Sequence, residues 1–298
     1  MFKNLHLDIY PLIFAYLPQK KLLDLLRINN RTFYKQIMKY VAAKLLKVQY
    51  EKDAKYCCEL NLIISFKLAY AQNKLNLDNF QNSQYLYWAC KGGHTTLVNF
   101  IIRRTKNINI INHALGGACE SGNIKVVKLV LKYGACSWWD NALFGACKSG
   151  NMKIVKLMIE NGANKWNFAL RGACEGGNLD IIELLIKKGA NDWETGFRGA
   201  CESGNIQLAQ FMIQKDVKRF TKDHCEDGLY IACRSGNMQF AKFMIEKGAN
   251  EWNDGLYTAC QHGYPAIVEL MINKGAKYCQ WCKKSMDEHL KYTKNDGK

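Results

Sequence analysis

No apolar run in this 298-residue chain is long enough to cross a bilayer, which takes about 18 to 20 consecutive apolar residues. The best stretch, residues 60–71 (LNLIISFKLAYA), is broken by Lys67. No membrane-spanning helix and no membrane partner are expected. The N-terminal MFKNLHLDIYPLIFAYL has some look of a signal sequence. Asp8 interrupts it, and no small-residue cleavage site precedes Pro18-Gln19-Lys20-Lys21, so no signal peptide is expected. Also missing are a Gly-rich phosphate loop, a G-x-S-x-G turn and an H-E-x-x-H helix. The six histidines are dispersed. Without these constellations the chain is expected to be no enzyme and to hold no cofactor.

Metal and thiol chemistry are thinly supported. Cys279-x-x-Cys282 with His289 lacks a fourth ligand, and a structural zinc site needs four. A divergent last repeat with Trp281 at its edge is the favoured reading there. His224 and Cys225 are sequence neighbours, which does not make them a dyad. Acidic residues are scarce beside basic ones, 26 against 42, for a formal charge of +16. Yet the cations are scattered, mostly Lys, with no block of five. That favours a generally basic surface over a nucleic-acid track.

What is abundant is repetition. Of thirteen cysteines, seven recur at one position of the repeat, each after an alanine, at 90, 119, 147, 174, 201, 233 and 260. The steps are 29, 28, 27, 27, 32 and 27 residues. Fixed-period self-similarity marks a stacked repeat architecture. Identical positions in a stack read as small buried side chains rather than disulfide partners, in a reducing intracellular setting.

Each unit reads as two short helices. In residues 142–163 the first is expected over Ala142–Ser149. Gly150 follows where a helix wants a left-handed C-terminal residue, and Asn151 stands where the next helix wants an N-cap. The Gly-Asn pair returns at 122/123, 177/178, 204/205 and 236/237. Pro265 falls in a first helical turn, where its missing N–H costs nothing. The second helix places Ile154, Val155, Leu157, Met158 and Ile159 on one face and Lys153, Lys156 and Glu160 on the other. One such hairpin cannot bury its apolar face alone; stacked neighbours complete the core.

These residues resemble the ankyrin repeat. Leu143, Ala146-Cys147 and Gly150-Asn151 match the family's first helix and turn, and Ile154-Val155-Lys156-Leu157 with Gly162-Ala163-Asn164 match its second. The resemblance covers about residues 84–282 and implies an all-α ankyrin-type solenoid of about seven short, 27–29 residue repeats. The family's period is about 33 residues, so roughly six are missing, those of the projecting finger. Trp138, Trp139, Trp166, Trp193 and Trp252 occupy the shortened connection, where each is expected to stack on the next repeat's loop. Short Trp-bearing repeats of this kind are similar to the ankyrin families encoded by giant DNA viruses of amoebae.

The resemblance also implies where a target would touch. The positions after Ala-Cys, which line the concave face in the family, are Lys91, Glu120, Lys148, Glu175, Glu202, Arg234 and Gln261. Their mixed sign suits a protein better than a phosphate track. The 32-residue step breaks the pattern at 215–228 (KDVKRFTKDHCEDG), which adds Arg219, Phe220 and His224 as candidates. Longer loops on one face are common binding sites in solenoids.

Residues 1–41 lack the repeat and show helical periodicity in three short runs. Leu5, Asp8, Ile9, Ile13-Phe14, Leu17, Leu22 and Ile28 resemble an F-box, with His6 in place of the family's proline. The resemblance implies docking on a Skp-family adaptor of a cullin ubiquitin ligase. Residues 42–83 are then a helical linker or degenerate repeat, and 283–298 a polar tail. Three functions are open: a substrate-recruiting adaptor on a host ligase, a ligase-independent module that sequesters a host protein, and a basic nucleic-acid-binding solenoid. Each places the protein inside a host cell, in cytoplasm or nucleus.

Overall fold

The computed structural model describes residues 84–277 together with Gln280 and Cys282. The F-box-like segment, the 42–83 linker, Cys279, Trp281 and His289 lie outside the described residues. Fourteen helices and no strand occur among the described residues, which belong to two compact units, Met1–Trp138 and Trp139–Lys298.

The first unit contributes α1 (Gln84–Lys91), α2 (Thr95–Ile102), α3 (Ile108–Glu120) and α4 (Ile124–Lys132). The second contributes α5 (Trp139–Ser149), α6 (Met152–Glu160), α7 (Trp166–Gly176), α8 (Leu179–Lys187), α9 (Trp193–Ser203), α10 (Ile206–Lys215), α11 (Lys222–Ser235), α12 (Met238–Glu246), α13 (Trp252–His262) and α14 (Pro265–Asn273). Consecutive helices pair as hairpins, and hairpins stack. α1 lies on α3, while α5, α7, α9, α11 and α13 lie on one another in turn.

The core follows from the repeat. The seven Ala-Cys pairs at the repeat position, from Ala89-Cys90 to Ala259-Cys260, are all buried. Each second helix buries a triplet at spacing i, i+1, i+4, such as Ile154, Val155 and Met158 in α6 or Ile181, Ile182 and Leu185 in α8. Leu157 and Ile159 are half-buried, and Lys153, Lys156 and Glu160 face solvent. Burial of the triplets stabilises each hairpin by about 1.5–3 kcal/mol per large side chain.

The turns form as expected. Gly150 adopts φ +75°, and the Asn151 carboxamide accepts from the N–H of Lys153 (3.1 Å) and Ile154 (3.3 Å). Asn123, Asn205 and Asn237 cap α4, α10 and α12 in the same way, at about 1 kcal/mol each. Asn178 makes no side-chain cap bond; its Nδ2 donates to the Cys147 carbonyl at 2.9 Å in the preceding repeat, as Asn123 Nδ2 does to the Gly93 carbonyl at 3.1 Å, tying hairpins together.

Four of the five tryptophans expected in the connections begin helices instead. α5, α7, α9 and α13 each begin on Trp, at 139, 166, 193 and 252, so α5 starts three residues before the expected Ala142. The connection is so short that the chain re-enters a helix almost at once. Ala163 is buried after Gly162, and Trp166 already opens α7. The Lys188 ammonium lies 6.0 Å from the Trp166 ring and that of Lys215 5.9 Å from Trp193. Each lysine ends the second helix of the same hairpin. In these two repeats the ring lies near a lysine of its own hairpin. Trp138 stays in the connection, with φ +64°.

Candidate functional site

The joints between repeats use a device that the Ala-Cys pattern conceals. Seven residues before the cysteine stands a side-chain oxygen acceptor: Asn112, Asp140, Asn167, Glu194, Glu226 or Asn253. Asn112 Oδ1 accepts from the backbone N–H of Cys136 (2.9 Å) and Ser137 (3.3 Å). Asp140 Oδ1 does the same for Asn164 (2.9 Å) and Lys165 (3.0 Å). Asn167 Oδ1 holds Asn191 (2.8 Å) and Asp192 (3.1 Å). Glu226 holds Asn250 (2.8 Å) and Glu251 (3.1 Å), one per oxygen. Asn253 holds Lys277 at 2.8 Å. The clamps of Asp140, Asn167 and Glu226 satisfy N–H groups just ahead of α7, α9 and α13, and so fix the entry of those helices.

A second ladder uses the position three before the cysteine. The Tyr87 ring stacks on His113 at 5.0 Å, and the Tyr87 hydroxyl donates to Glu120 at 3.0 Å. Phe144 stacks on Phe168 at 4.8 Å, and Arg198 reaches Asp227 at 3.1 Å. Burial first, then the Glu120 charge, pushes the Tyr87 phenol well above its ordinary range. Burial lowers His113, holding its imidazole neutral.

The residues after Ala-Cys, expected to await a target, pair with one another. Lys91 lies 3.0 Å from Glu120. Lys148 lies 3.0 Å from Glu175, which also accepts from Arg171 Nε at 2.9 Å. Arg234 reaches both Glu202 oxygens at 2.9 Å. Gln261 is exposed on α13. Partly exposed pairs of this type contribute about 0–1 kcal/mol each. Their mixed sign therefore serves contacts between repeats as much as any partner.

The long step brings Arg219, Phe220 and His224 into one joint. Half of 215–228 is helical: α11 runs 14 residues where α9 and α13 run 11. The Phe220 ring lies edge-on to Phe197 (5.1 Å) and stacks on His224 (5.5 Å). The Thr221 backbone N–H donates to His224 Nδ1 at 3.1 Å, which assigns the proton to Nε2. That nitrogen faces Glu194 at 3.7 Å. Here the acceptor of the clamp column meets a side chain, because the added residues carry the next N–H groups elsewhere. A recess of about 40 Å³ opens among Trp193, Glu194, Phe197, Asp216, Arg219 and Phe220.

Stacked two-helix repeats joined by short clamped turns match a known family. The model for ankyrin repeats (3 copies) matches residues 115–195 and 197–280, more than half of the chain. The chain belongs to the ankyrin repeat family. The crystal structure of the human ASB11 ankyrin repeat domain is similar over 76% of this chain and 99% of that chain, at 17% identity and a TM-score of 0.36. No curated protein sequence matches the chain. Ankyrin repeats form protein–protein interaction modules, and no catalytic family is indicated. Among the described residues no helix is long and apolar enough to cross a membrane.

The cysteine column belongs to the ankyrin core. Burial pushes the thiols of Cys147, Cys174 and Cys233 from 9.0 to about 12, with the Cys174 and Glu175 neighbours adding to it at Cys147 and Cys174. At pH 8 only about one such thiol in ten thousand is ionised. Iodoacetamide on the native protein is expected to alkylate exposed Cys136 and to spare these three, as read by peptide mass spectrometry. Alkali should also unfold the protein. The unfolded thiols ionise near pH 9 while the folded ones stay protonated, so stability falls between about pH 9 and 12.

Proposed function

We propose that the protein is a substrate-recruiting adaptor in a virus-infected host cell, cytoplasmic or nuclear. Residues 1–41 dock on a Skp-family adaptor of a cullin ubiquitin ligase, and the ankyrin repeats over 84–282 hold the target. Residues 42–83 set the distance between them. The observation that carries this is the order of two motifs: Leu5, Asp8, Ile9, Ile13, Phe14, Leu17, Leu22 and Ile28 in F-box-like spacing, then ankyrin repeats. Tethering raises the target's effective concentration at the ubiquitin carrier, and the chain itself makes or breaks no bond.

The target side draws on Gln261 and the long joint more than on the paired Lys91, Glu120, Lys148, Glu175, Glu202 and Arg234. That same pairing disfavours the nucleic-acid reading, because the face offers no uniform cationic track. The second reading, a ligase-independent module that sequesters a host protein, is favoured by a family match confined to the repeats.

Capture of a Skp-family adaptor separates the two. Tagged full-length protein is expected to retain the adaptor, and a double variant Ile13→Asp, Leu17→Asp to lose it, because charge in an apolar docking face costs several kcal/mol. Failure of the wild type to retain the adaptor at micromolar concentration leaves only the sequestering module.

A further inference from the structure

The joint between α10 and α11 departs from the others in length, clamp and exposure together. Its base is fixed. Phe220 is wedged against Phe197 and His224, and Thr221 and His224 form a capping box at the start of α11. Its tip is presented. Val217 is 64% exposed, Lys218 is exposed, and the Arg219 side chain is 85% exposed. Asp216 lies 3.5 Å from Arg219 Nε. A guanidinium this exposed is open to a carboxylate, which it can grip with two parallel bonds.

We infer that this finger is the contact for an acidic segment of a protein partner, with Arg219 and Lys218 taking carboxylates and Val217 an apolar side chain between them. The inference rests on the reading that the repeats hold a protein. Charge complementarity selects the occupant. A nucleic-acid strand carries closely and evenly spaced phosphates and would run into Glu194, which lines the recess beside Arg219, and Asp223, four residues further along the chain, both exposed. A peptide can place two carboxylates at the tip and none beyond.

The test selects short random peptides on the immobilised full chain, then measures the winners on the wild type, on a K218E/R219E double variant and on Val217→Ser. The enriched peptides are expected to carry at least two Asp or Glu beside an apolar residue. Their binding should fall about tenfold on K218E/R219E and about threefold on Val217→Ser. All three side chains are exposed, so melting temperatures should match the wild type. Acidic peptides that bind K218E/R219E as well as the wild type overturn the finger while leaving a protein-binding face elsewhere. No enriched peptide at all overturns the interaction reading with it. A short DNA duplex that binds the wild type and is lost from K218E/R219E assigns the finger to phosphate and also overturns the proposal.

Discussion

Gly172→Val is expected to lower the free energy of unfolding by about 3 kcal/mol, seen as a large drop in the urea midpoint. The reason is contact. Gly172 lies where α7 crosses α5, two residues before Cys174. A Cβ there would meet the Phe144 carbonyl oxygen at 2.5 Å and the Phe144 carbonyl carbon at 3.2 Å. Backbone cannot turn aside as a side chain can, so the helices must separate and open the core around Ala173 and Cys174. In an open helix, glycine to alanine gains about 1 kcal/mol; the steric loss outweighs that gain and sets the sign. Gly199 repeats the situation against the Arg171 carbonyl oxygen, also at 2.5 Å. α11 and α13 carry Ile231 and Thr258 at the equivalent position, so the tight crossing is a property of the earlier joints. Gly162→Ala is the informative control. Nothing lies within 4 Å of that position, but its φ is +103°, so its cost is the backbone penalty alone, about 1–2 kcal/mol.

Asn112→Leu is expected to cost about 2 kcal/mol. Asn112 is 4% exposed and its Oδ1 satisfies two N–H groups, of Cys136 and Ser137. Leucine is close in volume, so packing is nearly kept while two donors lose their acceptor. Stranded donors of this kind cost about 1–3 kcal/mol each when dry, and partial access of water to the turn brings the sum down. The damage should be local, with faster amide exchange at Cys136 and Ser137. Asn112→Asp keeps the acceptor and should restore most of the loss, which a purely volumetric role for Asn112 does not predict.

Much of the fold was legible because the repeat states each requirement seven times. Gly-Asn announces the left-handed turn and the cap; Ala-Cys announces a crossing with room only for small side chains; the i, i+1, i+4 triplets announce the buried stripe. The clamp column was harder to see. Asn, Asp and Glu alternate at Asn112, Asp140, Asn167, Glu194, Glu226 and Asn253, and only the shared property, a side-chain oxygen seven residues before the cysteine, carries the signal. A shortened connection suggests that the tryptophans within it are loop residues. The physical outcome is that the helix starts earlier, with the Trp166 and Trp193 indoles near Lys188 and Lys215 of their own hairpins.

The candidate site was legible in its parts and less so in its pairing. The variation of charge after Ala-Cys looks like a surface tuned to a target. Side by side, Lys148 and Glu175, or Glu202 and Arg234, neutralise one another across a joint. That relation depends on neighbouring repeats being in register, which no single repeat reveals. The long step at 215–228 stands out on length alone. Its aromatic wedge needs Phe197, where the other second-unit repeats place leucine (Leu143, Leu170, Leu229 and Leu256).

Residue-resolved amide hydrogen exchange on the full chain tests the central claim, that clamped joints form a rigid frame and the long joint presents the contact. Slow exchange is expected at Asn164, Lys165, Asn191, Asp192, Asn250 and Glu251, whose N–H groups are held by Asp140, Asn167 and Glu226. Fast exchange is expected at Val217 and Lys218, at the finger tip. Equal rates at the two sets, or protection of the finger with exposure of the clamped turns, would contradict that claim.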